Sequence, residues 1–411
     1  MIKSDYGHLY CPFYEQKFDN GLKLIFIPLK HQVKAAGIYI AQGGFNHDEQ
    51  IDKSKIPFGT PYILERVISR DEVKESFLKK GCLLRSHTDF SFTSFSVYSK
   101  EDVFPHFAEL LRLLVPTSFS EEDVEKAKNT IKRAPVSDLD YAASKTIDNL
   151  YYSSPIKMGI VPSQSDLVSI HYTALKKYLT KYYTPAQITF FIIGDYTPEK
   201  VIEEVKNLKL LGNTYPESKE KKYEENYSSC PETYVEEEKD CASSLLTLGF
   251  KFLPRAELYE RYGQLLFYIY EVFISVYFTK NKKFLEGLEE LSSSLVDVKF
   301  KQGSEDTYLL LQFRSDRALS LKTYLNTYLS KLNKNISRSD LKDINGDYYA
   351  SSLGDILSPT KLFDNFITAF ANNLPYTEVI TQASKIPYKS FITFTTDFMT
   401  FPKSYFYLKK R

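Results

Sequence analysis

Tryptophan is missing from this chain, and cysteine is scarce: Cys11, Cys82, Cys230 and Cys241 are the only four in 411 residues. None forms a C-x-x-C pair or stands at ligand spacing from a histidine. They therefore read as reduced thiols of a cytoplasmic protein, not as a disulfide framework or a metal site. Charge of one sign is also lacking. Lys+Arg and Asp+Glu nearly cancel, leaving +1, and so small an imbalance offers no electrostatic footprint for nucleic acid or for a membrane surface. No apolar run approaches the roughly 18 residues of a membrane span, and the first eight residues contain no signal-peptide core. There is no G-x-S-x-G elbow, no phosphate-binding Walker loop and no G-x-G-x-x-G turn. The six histidines, His8, His31, His47, His87, His106 and His171, are scattered. His47-Asp48-Glu49 is a loop triplet with no second cluster to complete a metal site.

What is present is ordinary in bulk and rich in rings. Hydrophobic residues make up 43% and charged residues 26%, with 32 tyrosines and 30 phenylalanines. That aromatic load predicts large cores. The length exceeds one typical core and predicts two domains of about 200 residues each.

The chain is organised around residues 57–70, P-F-G-T-P-Y-I-L-E-R-V-I-S-R. Tyr62, Glu65 and Arg66 stand at i, i+3 and i+4 of a predicted helix and so share a face. This is the spacing of an inverted zinc motif, H-x-x-E-H, in which two histidines hold the metal and the glutamate is the base. Here the letters are Y-x-x-E-R. A phenol is a poor zinc ligand at neutral pH, and a guanidinium has no lone pair to give. Tyr62 and Arg66 instead suit an ordinary stacked or hydrogen-bonded pair. Another reading puts the fixed positive charge of Arg66 where a zinc ion would otherwise sit.

Periodicity predicts strands over 22–27 and 35–41, pairing as neighbours, with Pro28 at the first strand's end where no ladder donor is needed. Residues 46–55 read as a loop. Helices are predicted over 62–69 and 71–80, the second stopping at Gly81. Residues 90–98 form the clearest alternating strand. Helices follow at 101–115 and after Ser120, whose hydroxyl caps an acidic first turn; Pro135 interrupts that helix, and helix resumes over 138–152. Next come a helix at 172–182, a buried strand at 188–194 and a helix opened by Thr197-Pro198. Residues 210–240 combine turn residues with an acid/base run and read as a linker. Beyond it the pattern predicts a strand at 243–252, a long helix at 256–278 and strands at 295–300 and 308–314. Helices at 317–332 and 337–349 and a last strand near 404–408 complete the chain. The layout is α+β: two structurally related domains, 1–209 and 241–411, each a mostly antiparallel sheet packed with helices, joined by the linker 210–240.

Over residues 18–205 the order of landmarks resembles the pitrilysin or insulinase-type (M16) metallopeptidases. They are Asn20-Gly21-Leu22-Lys23-Leu24, Gly43-Gly44, Gly59 before the helix, Gly81 leading into a Thr- and Ser-rich strand, Tyr183-Thr184-Pro185-Ala186 and Gly194-Asp195-Tyr196-Thr197-Pro198-Glu199. The resemblance places the inverted zinc motif at Tyr62–Arg66 and implies two related α+β domains joined by a linker. It also implies a third zinc carboxylate near Ala134, where Lys132, Arg133, Ala134 and Pro135 offer none. Only Glu65, the base position, matches, and without metal-bound water it reads as a surface or partner-facing helix residue. The strand at 90–98 corresponds to the edge that accepts extended peptide in such enzymes. An Arg and a Tyr seven positions apart grip substrate in some heterodimeric relatives, but 280–289 holds neither. Arg255/Tyr262 and Arg317/Tyr324 have the spacing at other places in the order.

The resulting expectation is a non-catalytic subunit with no catalytic residue, no bound metal and no cofactor. It pairs with a zinc-bearing homologue to form half of a peptide-processing chamber. A metal-free enzyme using Glu65 and Arg66, and a purely structural scaffold, are the alternatives.

Overall fold

The computed structural model describes residues 2–4, 13–30, 33–41, 43–44, 56–133, 136–159, 161–208, 224–302, 306–356, 358–371, 374 and 386–411. The expected loop at 46–55, with its His47 triplet, and Ala134 and Pro135 lie outside them. The chain divides into two compact units that interleave in sequence. The first is Met1–Ala134, Ile160–Lys222 and Leu353–Thr377; the second is Pro135–Gly159, Tyr223–Ser352 and Glu378–Arg411. The sequence predicts contiguous halves at 1–209 and 241–411. In the structure each half lends a segment to the other unit.

The first unit holds a seven-stranded sheet of β1 (Ile2–Ser4), β2 (Phe13–Lys17), β3 (Lys23–Pro28), β4 (Lys34–Ile40), β5 (Cys82–Thr88), β6 (Thr93–Ser99) and β7 (Ile188–Gly194). Their order is β1-β2-β3-β7-β4-β6-β5. Among the described residues of this sheet, only β3 and β7 pair in parallel, with Ile27 opposite Ile193. The expected neighbours β3 and β4 are thus separated, because β7 lies between them with Ala36 opposite Ile192. Every residue of β7 is buried. A strand apolar on both faces gains most at the centre of a sheet, and it displaces the sequence-local pairing. The strand expected at 90–98 begins only at Thr93, since Asp89 and Phe92 close the preceding turn through a 2.9 Å backbone bond.

Helices cover one face of this sheet: α1 (Thr60–Ile68), α2 (Asp71–Lys79), α3 (Phe104–Leu113) and α4 (Glu121–Arg133) bury Ile63, Val67, Phe77 and Phe107 against Leu24, Phe26, Phe190 and Ile192. Each such side chain contributes about 1.5–3 kcal/mol by leaving water. The other face receives Pro359–Ala371, a helix from the far end of the chain. Its Phe363 ring lies 6.0 Å from both Tyr98 and Phe191.

That contact depends on Gly37 in β4, where an added Cβ would stand 2.1 Å from Phe363 Cζ and 2.9 Å from the Phe95 carbonyl oxygen. Overpacking of this kind costs about 1–3 kcal/mol. Gly37→Ala is expected to lower the unfolding free energy by that amount in the wild-type chain and by less in a Phe363→Ala background, where only the Phe95 carbonyl contact remains. Equal effects in both backgrounds would show that the ring does not set the requirement.

The second unit is a five-stranded sheet of β8 (Tyr234–Lys239), β9 (Leu245–Lys251), β10 (Ser294–Gln302), β11 (Thr307–Arg314) and β12 (Lys403–Lys410), in the order β10-β11-β9-β12-β8. β8 lies inside the expected linker and pairs in parallel with β12, Tyr405 opposite Tyr234. It holds the sheet edge and exposes Glu236 and Glu238, so charge that reads as linker is the solvated side of an edge strand. The long helix expected at 256–278 is two helices, Arg255–Tyr262 and Gln264–Lys280. Gly263 separates them at φ +81°, which a residue with a Cβ adopts only with strain. Tyr270 of the second packs 4.9 Å from Phe394 in the aromatic core. The opposite face receives α5 (Asp138–Leu150), whose Ala142 joins Leu245, Phe406 and Leu408. Here too a strand glycine makes room: a Cβ on Gly249 would meet Leu150 Cδ1 and Thr146 Cγ2 at 2.7 Å.

Among the described residues, no helix is long and apolar enough to cross a membrane.

Candidate functional site

The local sequence fixes α1 tightly. Gly59 precedes it at φ +80°, a conformation that suits glycine, and an added Cβ would also stand 2.5 Å from Pro162. Pro61 opens the first turn, where no N–H is needed, and the Thr60 hydroxyl donates to the Pro57 carbonyl. Ile63, Leu64, Val67 and Ile68 are at most 1% exposed and anchor the helix. The remaining face presents Tyr62, Glu65 and Arg66.

These three have different surroundings. Arg66 stacks its guanidinium 4.1 Å from the centre of the Tyr62 ring and donates a hydrogen bond to the Tyr62 hydroxyl. This is the i, i+4 pair that the sequence suggests, and both side chains are half-buried. Glu65 is not a surface residue: it is 6% exposed. Its Oε1 accepts from the Ser86 hydroxyl on β5 and from Ser69 Oγ at 3.2 Å. Burial, and then the negative charge of Glu65, push the Tyr183 phenol well above its ordinary pKa. The expected surface position fails because α1 packs against β5, and Ser86 supplies a hydroxyl where the carboxylate meets the sheet. Ser86 is marked by nothing local in the sequence, and Tyr183 stands out only as the start of the Tyr183–Ala186 landmark, with no sign of its link to Glu65; both are brought in by strand and helix packing.

A zinc ion does not fit this donor set. The Tyr62 hydroxyl is engaged by a cation, Arg66 cannot coordinate, and a single carboxylate remains. Among the described residues no group of three or more His, Cys, Asp and Glu is placed to hold a metal. The α4 residues sharing a cleft with Arg66 are Asp123, Lys126, Ala127, Asn129 and Thr130. Asp123, the carboxylate among them, is committed elsewhere. It accepts from the Ser120 N–H at 2.8 Å and pairs with Arg70 Nε at 3.4 Å. Burial opposes its ionisation, but those partners prevail and hold its carboxyl below the usual range. The Ser120 cap expected from sequence is present, its Oγ accepting from the Asp123 N–H at 3.2 Å, and the reciprocal bonds from Ser120 occupy this acid.

The alternating strand, implied by resemblance to be the sheet edge, is β6, which runs inside between β4 and β5. The edge is β5, where Leu83, Arg85 and His87 are exposed on one face. Arg85 lies 3.6 Å from Asp364, and His87 lies 3.7 Å from Asp89. Residues of the Arg/Tyr spacings in the second unit have other partners. Arg255 donates to Tyr259 at 2.6 Å, Tyr262 to Asp397 at 2.7 Å, and Tyr324 to the Phe284 carbonyl at 2.9 Å.

Comparison with known proteins agrees with this architecture. Residues 169–345 match the family model described as the Peptidase M16 inactive domain. The zinc protease YmfH of Bacillus subtilis strain 168, itself uncharacterized, is 24% identical over 222 residues, 50% of this chain and 51% of that protein. The matched segment thus spans about half the length of that relative. The crystal structure of an M16-like peptidase from Alicyclobacillus acidocaldarius superposes with a TM-score of 0.83 at 15% identity, covering 98% of this chain and 99% of the other. A protease from Helicobacter pylori gives 0.79 at 15% identity, covering 97% and 99%. The chain has the two-domain fold of the M16-like peptidases, and the segment 169–345 is homologous to their inactive domain.

Proposed function

We propose that this chain is the non-catalytic subunit of an M16-type zinc peptidase heterodimer, a cytoplasmic protein that forms half of a peptide-processing chamber and supports substrate binding by a zinc-bearing partner. The observation that carries this reading is the Tyr62–Arg66 pair. At the two positions where an inverted zinc motif has histidines, a phenol and a guanidinium are committed to each other. The match of 169–345 to an inactive-domain family points the same way. A metal-free enzyme fits less well, because Glu65 is a buried acceptor for two serine hydroxyls. A general base has to reach the proton that it removes.

The test is co-expression with a homologous chain that carries an intact H-x-x-E-H motif. Size-exclusion chromatography with mass determination is expected to show a stable 1:1 complex, as an interface well above about 1,000 Å² would give. Elemental analysis is expected to find the zinc in the partner and no stoichiometric zinc in this chain alone. One tightly held zinc per isolated chain would overturn the reading. The double substitution Tyr62→His with Arg66→His is expected to give no chelator-sensitive cleavage, since a catalytic zinc needs three protein ligands and an open position.

A further inference from the structure

Between the end of α1, the start of α2 and the exposed side of α4 lies an open cleft of about 460 Å³. Four of its side chains are basic, Arg66, Arg70, Lys74 and Lys126, and three are acidic, Asp71, Glu72 and Asp123. Three of these seven charges, Arg70, Asp123 and Lys126, are in use within the fold. Arg70 donates to the Val67 carbonyl at 2.8 Å and pairs with Asp123, while Lys126 pairs with Glu122 at 2.9 Å. Arg66 takes part in neither ion pair. Its guanidinium offers five N–H donors in a planar fork, of which the Tyr62 hydroxyl takes one. The Tyr62 ring below holds that fork in a fixed orientation, which lowers the entropy lost when a ligand binds it.

We infer that this cleft is a carboxylate-binding subsite for a peptide, in which the Arg66 fork grips one carboxylate at the place where a metal-bearing homologue holds its ion. The ligand is a single carboxylate and not a phosphate or polyanion, because three acidic side chains share the lining and repel a more highly charged group. Planar carboxylates match the guanidinium fork bidentately. Lys74 of α2 and Asn129 of α4 also line the cleft and carry further donors. The carboxylate belongs either to a peptide C-terminus or to an acidic side chain. The inference rests on the peptide-contact part of the proposed function and adds the chemistry that is recognised.

The experiment uses the full-length chain and three short peptides of otherwise uncharged side chains, each tagged at its N-terminus with a neutral BODIPY dye. One ends in a free carboxylate, one in an amide, and one in an amide with a single internal glutamate. Binding is read by fluorescence anisotropy. A carboxylate-bearing peptide is expected to bind at least about tenfold more tightly than the uncharged amide, the effect of one charge-assisted hydrogen-bond pair. Which of the two carboxylate peptides gains shows whether the terminus or the side chain is read. Arg66→Gln is expected to remove the preference, so that the carboxylate peptide and the uncharged amide bind alike, and Arg66→Lys to retain part of it. Equal binding of all three peptides to the wild-type chain overturns the subsite but leaves peptide contact standing. A preference that survives in a folded Arg66→Gln chain does the same. No binding of any peptide to this chain overturns the subsite, and no binding to the co-expressed complex overturns peptide contact as well. The wild-type comparison needs no mutant, so a variant that fails to fold does not remove the test.

Discussion

Replacing Glu225 by alanine is expected to destabilise the second unit by about 3–5 kcal/mol, the cost of leaving a buried charge without its partner. The side chains of Glu225 and Lys251 are both 0% exposed, and their nearest charged atoms lie 3.1 Å apart. Lys251 Nζ also donates to the Asn226 carbonyl at 2.8 Å and faces the rings of Tyr151 and Tyr152, each at 5.2 Å. Oε2 of the glutamate accepts three successive backbone N–H groups, those of Tyr152, Ser153 and Ser154, at 3.1, 2.8 and 3.0 Å. Truncation to alanine therefore strands an ammonium and three amides at once. Lys251→Met is expected to cost less, towards the lower end of the range, because the carboxylate keeps its three amide donors. The double variant should fall short of the sum of the two, since the sites share one interaction. Burial opposes ionisation of Glu225, but the amides and Lys251 prevail and hold its carboxyl below the ordinary value. Its contribution is then fully present above the unfolded carboxylate value of about 4.3 and is lost as pH falls through the lower folded value. Denaturant titrations from neutral to acid pH should show this loss in the wild type and a shallower one in Glu225→Ala. Parallel curves, or a cost below about 1 kcal/mol, would contradict the assignment.

The second large effect concerns catalysis in the proposed complex. Peptide cleavage by the zinc-bearing partner is expected to fall steeply when this chain is omitted. The glutamate between the partner's histidines is expected to be essential, because a Glu→Gln change there removes the base that acts on metal-bound water. Glu65→Gln in this chain is expected to leave turnover nearly unchanged, since its carboxylate only accepts from Ser69 and Ser86. A glutamine at this position retains one oxygen acceptor for Ser86. The assay compares the wild-type complex with each single variant, with assembly checked by size-exclusion chromatography. If Glu65→Gln alone stops turnover while the complex stays intact, Glu65 is catalytic and the metal-free enzyme replaces the present reading.

The sequence by itself determined what depends on residues within a turn or two of each other. The helix Tyr172–Tyr182 and strand β7 stand where their periodicity predicts. Thr197 caps its helix through the Lys200 N–H at 3.3 Å. Tyr62 and Arg66 meet because i, i+4 spacing on one helix brings them together without help from the rest of the chain. The missing histidines are equally a matter of local letters. Tertiary structure decided whatever depends on which surfaces are covered. β7 parts β3 from β4 because it is apolar on both faces and takes the centre of the sheet. Glu65 is buried because β5 brings Ser86 against α1 from 21 residues away. Each sheet also has a second apolar face that its own half of the chain leaves open. α5 crosses to cover one, and Pro359–Ala371 crosses to cover the other. Gly249 and Gly37 are glycines because those helices press against them, a requirement that exists only once the distant segments are packed together.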